Sequence, residues 1–262
     1  MKIAIITGAS SGMGKEFVKN ALRLNLDEIW VIARRKERLE SLKSEAENQS
    51  AKTKIVPLPL DLTSGGAIGE LSAKLSEIRP DVRLLINASG YGKFGEFSSS
   101  KESDIAGMCD LNLKALILIT RAVLPYMDNG AKIMEVGSIS SFMPVPSLPV
   151  YAATKAAVLS FTRSLNHGLK PRKIHAMCLC PYWVKTEFFD RANDKVKIKK
   201  LDVLYDPEFI AKKAFKTLYK TKKDYLVPGG YAKFILFASK ILPHKLLMKI
   251  TDKKFRFEKQ DV

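Results

Sequence analysis

Cysteine is scarce in this chain, 3 in 262 residues, and histidine (3) and tryptophan (2) are no more common. Cys109, Cys178 and Cys180 are odd in number and too few for a disulfide scaffold, which points to a reducing compartment. His167, His175 and His244 have no metal-ligand spacing with the cysteines, so no metal is expected. No run reaches about 18 uninterrupted apolar residues, which argues against a spanning helix. Lys2 leads straight into the first apolar run without a signal-peptide pattern, and a cytoplasmic protein is expected. Linkers, low-complexity tracts and repeats are also lacking, so the chain reads as one domain, 1–262, with ample core. Acid is the other deficit: 27 Asp and Glu face 44 Lys and Arg, a formal charge of +17. Residues 191–262 alone carry 19 basic and 8 acidic side chains. Such a tail suits nucleic acid, an anionic membrane or an acidic substrate. No nucleic-acid motif accompanies it, so no nucleic-acid partner is expected and a solvated basic face is the plainer reading.

What the chain does have is alternation. Short apolar runs at 3–6, 29–33, 54–58, 84–87, 132–136, 175–180 and 225–227 predict strands. Helical periodicity predicts helices at 13–24, 36–48, 67–78, 102–126, 150–169 and 207–219. This βα order predicts an α/β fold, a doubly wound, mostly parallel seven-stranded sheet of Rossmann type with helices on both faces. Ligands of such sheets bind beyond the carboxyl ends of the strands. The chemistry is therefore sought after Ile6, Ala33, Leu60, Asn87, Val136 and Cys180.

The first of these edges carries TGASSGMGK, Thr7 to Lys15. A triphosphate-binding loop would need glycine at position 9 and Ser or Thr at 16, where the chain has Ala9 and Glu16. Gly8, Gly12 and Gly14 instead suit a dinucleotide: a tight turn brings backbone close to a pyrophosphate, and the helix N-terminus stabilises its charge. After the second strand comes Ala33-Arg34-Arg35. A carboxylate there would hold the ribose hydroxyls of NAD, whereas guanidinium groups bind a 2′-phosphate in bidentate fashion. NADP(H) is expected over NAD(H).

Ser138, Tyr151 and Lys155 stand in GSISSFMPVPSLPVYAATK. Tyr151 and Lys155 are four apart at the start of a helix, one turn apart on one face. A unit charge at ~4 Å in an effective dielectric of about 20 is worth roughly 4 kcal/mol, which would draw the phenol from ~10 toward ~7 before its own desolvation pushes back. Such a tyrosine exchanges a proton with an alcohol or carbonyl oxygen near neutral pH, and Ser138 can hydrogen-bond the same oxygen.

At these motifs the sequence resembles the short-chain dehydrogenase/reductase family. The match runs in order from TGASSGMG through LDLT (Leu60 to Thr63), NASG (Asn87 to Gly90), Asn112, Ser138 and YAATK to CPYWVKT (Cys180 to Thr186). It covers about residues 1–190. The resemblance implies an oxidoreductase acting on a carbonyl or alcohol, with Asn112, Ser138, Tyr151 and Lys155 catalytic. Tyr151 would be the general acid/base and Lys155 the residue holding the nicotinamide ribose. It implies cofactor contacts from Gly8, Ser10, Ser11, Gly12, Met13 and Gly14, from Arg34 and Arg35, and from Asp61 and Leu62. Asn87, Ala88 and Ser89, then Pro181, Val184 and Thr186, complete that set. Asn112 would bend its helix and join the proton relay. Family members commonly pair the helices at 102–126 and 150–169 across a dimer interface, so a homodimer or homotetramer is expected.

Three departures stand out. Ala88-Ser89 replaces Asn-Ala in the family's Asn-Asn-Ala-Gly segment, Tyr182 replaces a glycine beside the nicotinamide pocket, and Glu135 stands where many members have asparagine. A buried carboxylate needs hydrogen bonds or a cation, and the sequence does not name its partner. Residues 187–205 read as a substrate-side loop and 230–262 as a helical tail that Pro243 splits in two. The tail's apolar residues and lysines fit either packing on its own domain or transient contact with an anionic membrane. Bulky apolar residues near the mouth, among them Tyr91, Phe94, Phe142, Met143 and Trp183, suggest a hydrophobic small-molecule substrate. The competing reading is a catalytically silent NADP(H)-binding sensor or scaffold.

Overall fold

The computed structural model describes residues 1–192 and 203–254. Seven parallel strands form one sheet in the order β3-β2-β1-β4-β5-β6-β7. They are β1 (Lys2–Thr7), β2 (Glu28–Ile32), β3 (Lys54–Leu58), β4 (Asp81–Asn87), β5 (Lys132–Val136), β6 (His175–Leu179) and β7 (Tyr225–Leu226). β1 and β6 are apolar along nearly their whole length because both of their faces are covered. Helices α1 (Gly12–Ala21), α2 (Lys36–Asn48) and α8 (Pro207–Lys220) serve one face. Phe17, Leu39, Ile210 and Phe215 there pack against Ala4, Ile6, Val31 and Met177. On the other face α3 (Ala67–Ile78) and α5 (Leu116–Val123) bury Leu71, Leu75, Ile119 and Val123 against Ile3, Ile5 and Leu85. The strand order reverses beside β1, between α1 and the β4 edge, and opens the crevice that doubly wound sheets use for ligands.

The helix expected over 102–126 is not continuous. It runs as α4 (Glu102–Cys109), a π-helical segment (Asp110–Ala115), α5 and a closing 3₁₀ turn (Leu124–Tyr126). The wide turn is held from outside the helix: buried Asn112 donates to the Tyr91 carbonyl at 2.8 Å and accepts from the Tyr91 amide at 3.0 Å. Inserting a side-chain partner into the ladder is a recognised cause of such a bulge. Helix α6 (Pro149–Gly168) begins at a proline, whose missing N–H is unneeded in a first turn. A short α7 (Phe188–Ala192) opens the segment expected as a loop over 187–205, most of which lies outside the described residues. Its far end returns at Tyr205, whose amide donates to the Trp183 carbonyl at 2.9 Å and which bridges Val184.

As Pro243 implies, the tail divides into α9 (Gly230–Ile241) and α10 (His244–Lys254). One side packs on the chain itself through Ala232, Ser239 and Leu247, while Phe234, Phe237 and Ile241 are each 62% exposed. No helix among the described residues is long and apolar enough to cross a membrane.

Candidate active site

Beyond the carboxyl ends of β1 to β4 lies a groove of about 610 Å³. Gly8, Ser10, Ser11, Gly12, Met13 and Gly14 form its floor, and Arg34 and Arg35 its outer end. Asp61, Leu62, Ala88, Ser89 and Thr186 form its sides. The glycines are required by space. A Cβ on Gly14 would lie 2.0 Å from the Gly8 carbonyl oxygen, and Gly8 itself has φ +68° with a would-be Cβ 2.8 Å from the Ala88 carbonyl oxygen. Only bare backbone lets β1, α1 and the segment after β4 meet this closely. Thr7 Oγ1 locks that junction by accepting from the amides of Ala88 (3.0 Å) and Ser89 (3.1 Å). The free N–H groups of α1 begin at Gly12 and face an elongated cleft with cations at one end. These residues fit a pyrophosphate-linked dinucleotide.

Arg35 reaches back over the loop, donating from Nη2 to Ser10 Oγ (3.2 Å) and Ser11 Oγ (3.1 Å), and from Nη1 to Glu187 Oε2 (2.9 Å). Arg34 stays exposed on the rim, where its charge helps hold Asp61 below the usual carboxylate range. The larger cause is the Thr63 hydroxyl, which donates to Asp61 Oδ1 at 2.7 Å.

A second, largely apolar cavity of about 150 Å³ adjoins the groove. Ser138, Tyr151 and Lys155 face it together, with Pro181 and Val184 beside them. β5 delivers Ser138 just past its end, and the first turns of α6 deliver the other two. Met143, Val145, Leu148, Trp183 and Phe188 form the apolar walls, and Ile235, Leu247 and Ile250 of the tail close one side. Tyr182, which stands where the family has glycine, packs its ring edge-on against Trp183 (5.9 Å) and Tyr231 (5.3 Å), tying the site to α9.

The ionisation of Tyr151 differs from the expectation. Burial pushes the phenol up to about 12, and the Ser138 hydroxyl pulls only partly the other way. The Lys155 ammonium stands over the Tyr151 ring, 5.7 Å from its centre, and donates from Nζ to the Val136 carbonyl at 2.7 Å. Burial brings Lys155 itself down to about 8. Asn112 stands behind this pair, bonded also to Thr154 Oγ1 at 3.3 Å. A Cβ on Gly90 would meet Asn112 Oδ1 at 3.0 Å and Lys155 Nζ at 3.3 Å, so glycine separates the two polar groups.

Asn87 lies beneath the groove, off its lining, with Glu135 beside it in register on β5. The carboxylate left without a named partner in the sequence is fully buried. Its Oε1 accepts from Thr120 Oγ1 (2.9 Å) and Asn87 Nδ2 (3.2 Å). Burial raises Glu135 to about 7 against these hydrogen bonds and the Lys155 charge.

Sequence reasoning passed over Thr7, Gly90, Ser141, Arg38 and Glu187. Ser141 could have been found as the third residue of a capping box: its Oγ accepts from the Ser138 amide (3.2 Å) and donates to the Lys155 carbonyl (2.8 Å). Arg38 and Glu187 are 149 positions apart and carry no such signal.

Comparison with known proteins agrees with this fold. The family model described as short chain dehydrogenase matches residues 2–197. The 3-oxoacyl-acyl-carrier-protein reductase of Thermotoga maritima is 30% identical over 200 residues, 75% of this chain and 79% of its own. The very-long-chain 3-oxoacyl-CoA reductase-B of Danio rerio is 28% identical over 255 residues, 95% of this chain and 78% of its own. A short-chain dehydrogenase from Sphingobium yanoikuyae, solved in complex with NADPH, shares the fold. Its TM-score is 0.77 at 23% identity, covering 100% of this chain and 98% of that one.

Proposed function

Because the chain belongs to the short chain dehydrogenase family, we propose that it is an NADP(H)-dependent oxidoreductase interconverting a hydrophobic carbonyl compound and its alcohol. The observation that carries this reading is the convergence of Ser138, Tyr151 and Lys155 on one apolar pocket that opens beside a dinucleotide-shaped groove. NADP(H), when bound, supplies or takes up the hydride.

The chain's own residues do the rest. Backbone around Gly8, Ser10, Ser11, Gly12, Met13 and Gly14 holds the pyrophosphate, and Arg34 and Arg35 the 2′-phosphate. Asp61, Leu62, Ala88 and Ser89 position the adenosine half, and Pro181, Val184 and Thr186 the carboxamide. Lys155 holds the nicotinamide ribose. Ser138 Oγ hydrogen-bonds the substrate oxygen, and the Tyr151 hydroxyl gives that oxygen its proton. A phenol near 12 is protonated at neutral pH. It therefore carries the proton that reduction of a carbonyl oxygen requires. Asn112 fixes the Tyr91 backbone and Thr154 around Tyr151, and so positions the relay.

The 28% identity to a very-long-chain 3-oxoacyl-CoA reductase, spanning 95% of this chain, and the pocket's aromatic walls favour a lipophilic substrate. The tail adds to this: no acid stands between residues 225 and 251, while Lys233, Lys240, Lys245 and Lys249 flank its exposed apolar side chains. Transient contact with an anionic membrane, and a homodimer or homotetramer in solution, belong to the same reading. A silent cofactor-binding sensor is the competing one, and it gives no reason to bring Ser138 and Tyr151 together on the apolar cavity. Consumption of NADPH over a panel of ketones, aldehydes and acyl compounds, repeated with Tyr151→Phe, separates them. Turnover lost in the variant supports the enzyme. Binding without turnover of any panel member would favour the sensor.

A further inference from the structure

The cation cluster at the outer end of the groove already holds an anion of the chain's own. Glu187 follows Thr186 directly and stands immediately before α7, on the substrate side. Its Oε2 accepts from Arg35 Nη1 at 2.9 Å, and its Oε1 accepts a short hydrogen bond from Arg38 Nη1. The same Arg35 uses its other nitrogen on Ser10 and Ser11, so the guanidinium is fixed over the glycine loop and aimed outward. Planar guanidinium forks bind carboxylate and phosphate oxygens alike. Both arginines hold Glu187 below the ordinary glutamate range, Arg38 most strongly, so it is anionic at neutral pH. The pair is only partly buried, with Arg35 32% and Glu187 38% exposed on their side chains, so an incoming anion can exchange for the carboxylate.

We propose that Glu187 is a displaceable stand-in for the cofactor's 2′-phosphate, and that it sets how strongly this chain discriminates between phosphorylated and unphosphorylated adenosine. This rests on Arg35 being the phosphate contact. A 2′-phosphate must draw Arg35 away from Glu187 and then sit near a carboxylate of like charge. A bare ribose leaves the ion pairs intact and can donate its 2′-hydroxyl to Glu187. Glu187 therefore narrows the preference for NADP(H) that the arginines would otherwise give. The exchange also reaches the second cavity, because Phe188, the next residue, packs on Tyr151 with ring centres 5.5 Å apart. Phosphate binding thus frees the start of α7 beside the proton donor.

Calorimetric binding of adenosine 2′,5′-bisphosphate and of 5′-AMP tests this without hydride chemistry. Replacing one charge-assisted partner on a partly exposed arginine pair corresponds to an affinity change of about tenfold. In Glu187→Gln the bisphosphate should bind about tenfold more tightly than in the wild type, with 5′-AMP unchanged or weaker. Glu187→Ala should do the same, which separates the lost charge from any packing change in Gln. A bisphosphate affinity unchanged in both variants, while the wild type still prefers it to 5′-AMP, overturns the role of Glu187 and leaves the arginine site standing. No preference in the wild type or either variant overturns the arginine site, and this inference with it. A rise for both ligands alike would show general charge relief and also refute the proposal.

Discussion

Glu135 offers the most direct test of the electrostatics under this site. Its carboxyl is completely buried between β4 and β5, and its Oε2, like the neighbouring Asn87 Oδ1, has no hydrogen-bond partner among the described residues. Two buried acceptors without a donor are costly when the carboxyl is charged, and one proton supplies the donor the cluster lacks. Burial accordingly raises the group from 4.5 to about 7. The native state then binds a proton that the unfolded chain has already released. The stability this carries is complete below about pH 4.5 and is lost as the pH rises through about 7. At roughly 1.4 kcal/mol per pKa unit the loss amounts to about 3 kcal/mol, most of it between about pH 5 and about pH 8.

Glu135→Gln keeps an oxygen for Thr120 and Asn87 but cannot titrate. Urea unfolding of both proteins across that range should show the wild type losing about 3 kcal/mol relative to the variant. Taking the difference removes the other carboxylates, several of which are lowered and slope the opposite way. Lys155→Met, which removes the nearby cation, should move the wild-type midpoint higher still. A difference that stays flat with pH would mean that Glu135 ionises as an ordinary carboxylate and would refute the reasoning.

The remaining expectations concern the site. Tyr151→Phe should retain NADPH binding in a fluorescence titration and lose nearly all turnover, about a hundredfold or more for loss of a general acid; native turnover would remove Tyr151 from the mechanism. Gly14→Ala forces a Cβ against the Gly8 carbonyl at 2.0 Å. It should lower Tm by several degrees and abolish NADPH binding, and a variant with native affinity would contradict the loop's assigned role. Arg35→Ala should weaken NADPH far more than NADH, by about tenfold or more for loss of a charge-assisted contact; equal losses would point to a purely structural arginine. A chain ending at Gly230 should no longer float with anionic liposomes that retain the full chain, and equal flotation would place membrane contact elsewhere.

Much of the molecule could be read from local pattern alone. The apolar runs and helical periods mark all seven strands and the helices between them, because burial on two faces and on one face leave different periods in the sequence. The glycine spacing marks the cofactor loop, since only glycine permits the contact between Gly14 and Gly8. The interval of four is enough to place Tyr151 and Lys155 on one helical face. Chain proximity carries all of this information.

The tertiary structure decided what depends on surroundings. The phenol of Tyr151 is high and not low, because the fold shuts the ring away from water and the Ser138 hydroxyl offsets that only in part. Glu135 finds Thr120 and Asn87, 15 and 48 positions away, and Arg38 finds Glu187 at 149. The tail, ambiguous in sequence, supplies Leu247 and Ile250 to the lining of the cavity that Tyr151 faces and leaves Phe234 and Phe237 in solvent. Hydrogen-bond geometry, desolvation and long-range ion pairing act through space, and a linear pattern records spacing along the chain but not which charges the fold removes from water.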